Sequence, residues 1–203
     1  MKRRLSDFVE LIPGVNTTRI DRDHGDKEIF YYDSSSFEAD LSYDNGLSEE
    51  FKNISNKNIP EKMQDKIVEE GDVVISSSLM LATIVGKANG GKILSLNYIK
   101  VKFKGSRLDK RYFIYLFNEN KDVKRVKLIG AQGSAIQRMN TRIITDIEIP
   151  IVTIKTQKQI GDAYSKSLKL QSKLEMKKRL LKEFTITVLE KRLEEKDETI
   201  VQR

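Results

Sequence analysis

Residues 147–160, Ile-Glu-Ile-Pro-Ile-Val-Thr-Ile-Lys-Thr-Gln-Lys-Gln-Ile, set the tightest limit on what this chain can fold into. A short apolar strand stops at Pro150, which has no N–H to give a sheet ladder or a helix interior. From about Thr156 the pattern is helical. Ile160, Ser167, Leu174, Leu181 and Val188 stand seven apart, and Ala163, Leu170, Lys177, Phe184 and Lys191 fill the companion seam position. This is a heptad repeat, interrupted by polar Ser167, Lys177 and Lys191. No Pro or Gly follows Gly161. A helix of about 40 residues is ~60 Å long, too long for a small globule to cover. An isolated rod cannot bury such a seam, so the pattern predicts a coiled-coil partner. A helix folded back on its own domain is the alternative. Ile186, Leu189 and Leu193 add a second apolar stripe.

Upstream, the periodicities mix. Leu5, Phe8, Val9, Leu11 and Ile12 make residues 4–20 a helix or strand ending in a turn at Pro13-Gly14. Residues 21–28 read as a loop, Ile29–Tyr32 as a short strand, and 33–58 as polar surface with one short helix at Ser48–Lys52. Gly71-Asp72 opens a strand over Val73–Ile75, which Leu79–Val85 continues past Ser76-Ser77-Ser78. Asn89-Gly90 is a hairpin signal. It leads to a return strand, Ile93–Phe103, whose alternating lysines share one exposed face. Lys110–Asn118 is apolar on a helical period and reads as a buried helix; 123–130 and 143–149 read as strands. The expected fold is therefore an α/β (α+β) globule over residues 1–152, followed by a long coiled-coil helix over 153–203.

The chain has 203 residues and 37 Lys+Arg against 30 Asp+Glu, a formal charge of +7. A basic surface gains counterion-release free energy on a phosphate backbone, which points to nucleic acid; a soluble protein that is merely basic is the plainer reading. No apolar run approaches the ~18–20 residues of a membrane span. The basic start, Met-Lys-Arg-Arg-Leu-Ser, lacks a following apolar region, so no secretory signal is expected. With zero Cys there is no disulfide frame and no thiolate metal site. The expected location is cytoplasmic, without a membrane.

Most candidate chemistry fails on inspection. Gly86–Lys92 matches G-x-x-x-x-G-K, but a phosphate loop needs Ser or Thr next and then a helix. Here Ile93 follows and opens a strand pattern, so the stretch reads as a Gly-rich tip whose Lys87 and Lys92 face DNA phosphates. Asp21–Asp26 hints at a calcium loop, but its glycine is one place early and position twelve is Tyr32. His24 is the only histidine, which leaves no material for His-based metal sites or triads. Ser76-Ser77-Ser78 lacks the glycines of a nucleophile elbow, and capping or backbone bonding is expected of it. No Asn-Pro-Pro-type motif exists, since Pro13, Pro60 and Pro150 stand alone. No catalytic constellation, metal site or cofactor site is expected. What remains is basic residues in groups: Lys100, Lys102, Lys104, Arg107, Lys110 and Arg111; then Lys121, Lys124, Arg125 and Lys127; then Arg138 and Arg142. The segment 130–138 mixes base-reading and phosphate-binding types in Gln132, Ser134, Gln137 and Arg138, with a plain strand connection as the alternative.

These residues resemble a family. Ile149-Pro150 followed by Gln157-Lys-Gln-Ile160, at this separation, is similar to the join in the DNA-specificity (S) subunit of type I restriction-modification systems. Val152-Thr153 stand where that family usually has prolines. Gly133-Ser134 through Met139, leading to the Asp146-Ile-Glu-Ile strand, resembles its glycine-serine loop. Gly71-Asp72-Val-Val-Ile and Leu5 through Gly14 resemble its Gly-Asp strand and its start. Residues 25–65 match nothing in it. Such subunits carry two target-recognition domains, each followed by a long helix; this chain has one of each, a half-length form.

The resemblance implies double-stranded DNA as a partner, with Lys87, Lys92, Lys102, Lys104, Arg107, Gln132, Ser134, Gln137, Arg138 and Arg142 as candidate contacts. It implies methyltransferase (M) subunits, and restriction (R) subunits, as the bearers of the chemistry, with none in this chain. It also implies a homodimer through Ile160, Ala163, Leu170, Leu174, Leu181, Phe184 and Val188, reading two inverted half-sites. Two other classes stay open: a coiled-coil oligomer with a basic head that binds nucleic acid nonspecifically, and a minimal nuclease or methyltransferase.

Overall fold

The computed structural model describes residues 2–17, 29–42, 61–131 and 139–201. The chain divides into two compact units, Met1–Ser165 and Lys166–Arg203. The first is a mixed α/β domain. Its centre is a four-stranded antiparallel sheet of β2 (Val9–Pro13), β7 (Tyr98–Phe103), β4 (Val73–Ser76) and β5 (Leu81–Ile84), in that order. β4 is buried along its whole length. Alternate side chains of a strand face opposite ways. Val73 and Ile75 join a core with Ala82, Ile99 and Val101, whereas Val74 joins another with Tyr32, Phe37, Val85 and Tyr98. A sheet covered on both faces explains the unbroken Val-Val-Ile run.

The first face is covered by α2 (Lys110–Glu119), which buries Tyr112, Phe113, Leu116 and Phe117. Asp109 caps it, its carboxylate accepting from the N–H groups of Arg111 and Tyr112. Asn118 fastens α2 to β5 by a two-way bond with Ala82, accepting from its N–H at 2.8 Å and donating to its carbonyl at 2.9 Å. The second face is covered by α1 (Ser34–Leu41), capped by Asp33. A small parallel pair, β3 (Tyr31–Tyr32) with β6 (Ile93–Leu94), flanks it.

Several elements differ from the sequence reading. Residues 123–130 are helical, within α3 (Lys121–Ala131). Val126 and Leu128 alternate like a strand but are exposed, while Val123 and Lys127, four apart, face inward. Asn120 starts the helix by accepting from the N–H groups of Asp122 and Val123. Residues 143–146 belong to α4 (Thr141–Asp146), capped by Asn140; the strand β8 is Glu148–Pro150 alone. Leu79–Val85 does not prolong β4 but turns back beside it. Met80, at φ 54°, makes the reversal, and its N–H donates to the Ser76 carbonyl. Ser76 Oγ accepts from Leu79 N–H and Ser77 Oγ donates to the Asn97 carbonyl, the backbone bonding expected of the serine run.

Asn89-Gly90 is not a hairpin tip. Lys87–Asn89 is a 3-10 turn, and the buried Asn89 amide donates to the Ser36 carbonyl and the Asp40 carboxylate. The return strand is broken into β6 and β7, and Lys100 is half-buried beside Asp72 at 2.7 Å rather than on a shared exposed face. Pro13-Gly14 does not reverse the chain. β2 runs on to a bridge between Val15 and Ser95, and a Cβ on Gly14 would lie 2.1 Å from the Ser95 carbonyl oxygen. The Ser48–Lys52 helix, the 21–28 loop, His24 and the calcium-like run lie outside the described residues.

The join forms from both ends of the sequence. β8 pairs antiparallel with β1 (Lys2–Arg4), Pro150 opposite Lys2. The long helix α5 then runs 48 residues, Ile154–Val201, about 72 Å. Ile154–Ser165 belongs to the first unit. There Gln157, 1% exposed, makes three bonds: it accepts from Asp109 N–H at 2.9 Å and donates to the carbonyls of Arg107 at 3.1 Å and Val152 at 2.9 Å. A Cβ on Gly161 would sit 2.7 Å from the Tyr112 nitrogen, so only glycine lets the two helices approach this closely. Tyr112 donates its hydroxyl to the Pro150 carbonyl at 3.0 Å.

Two stability predictions follow from this geometry. Gln157→Leu strands three backbone groups and lowers the urea-unfolding free energy by about 2–4 kcal/mol; a loss under about 1 kcal/mol contradicts the role given to Gln157. Lys127 is 4% exposed, donates to the carbonyls of Met80 and Phe117, and lies 4.4 Å above the Phe117 ring. Burial, aided by the Lys124 charge, pulls its ammonium down to about 8. The unfolded chain, with lysines at about 10.4, holds more protons between those values, so stability rises with pH across that window. Lys92, also lowered chiefly by burial, acts in the same direction. Urea titrations from pH 7.5 to 9.5 are expected to show this rise, and a smaller one in Lys127→Met; equal rises contradict it.

Candidate nucleic-acid interface

The basic residues nominated from the sequence do not form one patch. Lys102, on the interior strand β7, and Lys104, just past its end, are both exposed. Lys102 lies 3.9 Å from Glu10 and Lys104 donates to the Ser6 carbonyl at 3.0 Å. Arg107 is exposed nearby, 5.4 Å above the Phe8 ring, with a guanidinium N–H toward the Asp7 carbonyl at 3.4 Å. The other lysines of this run serve the fold: Lys100 bonds the Ile67 carbonyl and Asp72, and Lys110 the Gly71 carbonyl. Arg111 pairs with Asp162.

At the Gly-rich stretch, Lys87 is exposed but Lys92 is turned inward. Its ammonium donates to Ser36 Oγ at 2.8 Å and Asn89 Oδ1 at 2.7 Å. Gly86 N–H donates to the Asp40 carboxylate, which also accepts from Tyr32 at 2.7 Å and Asn89 at 2.8 Å. The loop that mimics a phosphate cradle thus grips an internal carboxylate on α1. Burial, with Asp40 adding to it, pushes the Tyr32 phenol well above its ordinary value.

A second basic region surrounds α3 and α4. Lys121, Arg125 and Arg142 are exposed and form no salt bridge among the described residues. Lys124 pairs with Glu119 and Lys127 is buried. α3 and α4 meet where a Cβ on Gly130 would lie 2.8 Å from the Ile143 side chain. The connection between them holds Gln132, Ser134, Gln137 and Arg138, which lie outside the described residues; Arg142 stands at its far foot, in the first turn of α4.

Along α5 the seam residues divide. Ile160 packs against the core of the globular unit. Ala163 is exposed, as are Leu170, Leu174, Leu181, Phe184 and Val188, with Leu181 at 65% and Phe184 at 67%. Sequence reasoning missed Arg3. It lines, with Asp7, Phe8, Ser106, Arg107, Ile151, Val152, Ile154 and Gln157, a hollow of about 860 Å³ at the join. No periodicity marks Arg3, because the pairing of β1 with β8 spans the whole unit. Among the described residues no group of three or more His, Cys, Asp or Glu is placed to hold a metal, and no helix is long and apolar enough to cross a membrane.

No curated protein matches the chain. Among solved structures it is similar to the HsdS subunit from Thermoanaerobacter tengcongensis, at 14% identity over 86% of this chain and 38% of that one, with a TM-score of 0.49. It is similar to the type I restriction-modification S subunit from M. genitalium, at 16% identity over 81% and 38%, TM-score 0.47. A chain from a study of complex assembly and conformational transition of the type I R-M system gives 14% over 86% and 39%, TM-score 0.53, a likeness of fold. The chain spans less than two fifths of the length of these three. The model of the type I restriction modification DNA specificity domain matches residues 1–183, the globular unit and more than half of the long helix together, and the chain belongs to that family.

Proposed function

We propose that this chain is a sequence-specific DNA reader, the specificity subunit of a type I restriction-modification system, acting as a homodimer on an inverted, two-part site. The observation that carries this reading is the family match over residues 1–183. In it, exposed Lys87, Lys102, Lys104 and Arg142 hold phosphates, which positions the protein without reading sequence. Gln132, Ser134, Gln137 and Arg138 read base edges from the connection between α3 and α4. The chain performs no chemistry; methyltransferase subunits, and restriction subunits, bring it.

The dimer is supported by the exposed seam of α5. Nine large apolar residues between Leu170 and Leu193 are more than a third exposed. The charges along the helix are polarised as well. Residues 154–182 hold nine Lys or Arg and two Asp or Glu, whereas 183–203 hold six acids and four bases. Antiparallel pairing sets opposite charges side by side; parallel pairing sets the basic halves together.

Selection from a randomised duplex library tests the reading. Enrichment of a split motif with inverted halves is expected, and recovery of unrelated sequences contradicts it, leaving a nonspecific basic head. On the enriched duplex Arg138→Ala costs about 1–3 kcal/mol, and little on scrambled DNA; an equal loss on both makes Arg138 a phosphate contact. Leu174→Glu with Leu181→Glu is expected to give a monomer in sedimentation equilibrium, and an intact dimer rules out this seam.

A further inference from the structure

We infer that the corner where the β4–β5 turn meets the β6–β7 turn reads thymine, with Leu79 and Leu96 set against 5-methyl groups in the major groove. The inference rests on the DNA-reading function proposed above and assigns to it two residues that no basic or polar pattern marks.

Both turns stand at one end of the central sheet, where Ser76 is paired with Leu81 on one side and Tyr98 on the other. They are tied together. Ser77 donates its N–H at 2.9 Å and its hydroxyl at 2.8 Å to the Asn97 carbonyl. The second turn is closed by the Tyr98 N–H on the Ser95 carbonyl, and Ser95 Oγ anchors it to the Tyr32 carbonyl at 2.7 Å. The first is fixed at Met80, whose N–H donates to the Ser76 carbonyl and whose own carbonyl accepts from the buried Lys127. Met80 is also the one described non-glycine residue with a positive φ, 54°, a conformation that neighbouring structure has to hold. Each of these fastened turns nevertheless presents a leucine to solvent, Leu79 at 51% and Leu96 at 54% exposure. Neither belongs to a core. Side chains on a backbone already fixed lose less freedom on contact, so they suit recognition.

Charge points to the partner. Residues 73–107 contain six Lys or Arg and no acid, and residues 123–145 contain five and no acid, in a chain with 30 Asp+Glu. These two stretches meet at the corner. Lys127 bonds Met80, and the Met139 N–H donates to the Ser77 carbonyl at 3.1 Å. Three residues on stands Arg142, exposed and in no salt bridge among the described residues. A polyanion arriving here meets no carboxylate from either stretch, whereas bases of the same stretches attract it. Leucine has no hydrogen bond to offer a base edge. The feature of the major groove that matches it is the thymine methyl group, which cytosine lacks. A protein partner is the other occupant for exposed leucines. The acid-free surround and membership of a DNA specificity family favour DNA.

The test starts from the duplex enriched by selection. Each thymine in turn is replaced by deoxyuridine, which removes the methyl group alone. The full-length wild-type chain is expected to bind at least one such duplex about fourfold more weakly. Leu79→Ala or Leu96→Ala is expected to bind the thymine and uracil forms alike, at the weaker level. Both side chains are more than half exposed, so the urea-unfolding midpoint is expected to stay unchanged. The deoxyuridine series on wild type depends on no variant folding. Failure to enrich any motif overturns the DNA-reading function itself. An enriched motif without an A·T pair, or one whose thymines are all replaced without loss, overturns the thymine contact alone. So do leucine variants that keep the thymine preference, or that lose equally on enriched and scrambled duplexes. Variants that bind DNA as wild type does but no longer associate with methyltransferase subunits also overturn it, and give the corner to a protein.

Discussion

The Gln157 carboxamide is the interaction on which the rest of this structure depends. One side chain on the long helix closes the backbone of Arg107 and Asp109 and the carbonyl of Val152. Asp109 in turn caps α2, and α2 carries the aromatic side chains that cover the central sheet. Three satisfied bonds at a nearly buried amide leave little freedom there, since breaking any one strands a buried polar group. Gly161 and Tyr112 act at the same place, one by permitting close approach and the other by holding Pro150. The first three turns of the helix are therefore part of the folding unit of the globule.

This arrangement explains why an exposed apolar seam can persist on so long a helix. In proteins most of a helix's stability comes from tertiary packing of one face rather than from propensity. Anchoring at Gln157, Ile160 and Tyr164 supplies the nucleus, and the seam from Leu170 onward remains available to another helix. The charge gradient along the helix bears on the direction of the pairing proposed above. In the proposed function DNA contact and pairing fall on separate parts of the chain: cations and the α3–α4 connection within residues 1–165, exposed apolar side chains on the later part of α5.

Part of this was legible in the amino-acid sequence because it is local. Pro150 ends its strand, the heptad marks the rod, and the Lys110–Asn118 helix follows from its own period. The β4 core strand is a β-branched Val-Val-Ile run opened by Gly71-Asp72, the composition and flank of a buried strand. The misreadings share a cause. Val126 and Leu128 alternate because they are exposed helical residues, and only tertiary contacts show that Lys127 is the inward side chain. Asn89-Gly90 has the composition of a hairpin, but the buried polar cluster with Ser36 and Asp40 overrides the turn propensity. The same cluster takes Lys92 inward, where charge counting places it at the surface. Arg3 escaped notice because its neighbours come from strands at opposite ends of the unit, and no pattern within either strand reveals the pairing.

Native-state hydrogen exchange tests the central claim most directly. If the join is one cooperative unit, the amides of Asp109 and of residues 158–164 exchange only through global unfolding, at the same free energy as Val73–Ser76, while those beyond Lys166 open earlier. Exchange of Asp109 and residues 158–164 together with the rest of the rod, well ahead of β4, would contradict it.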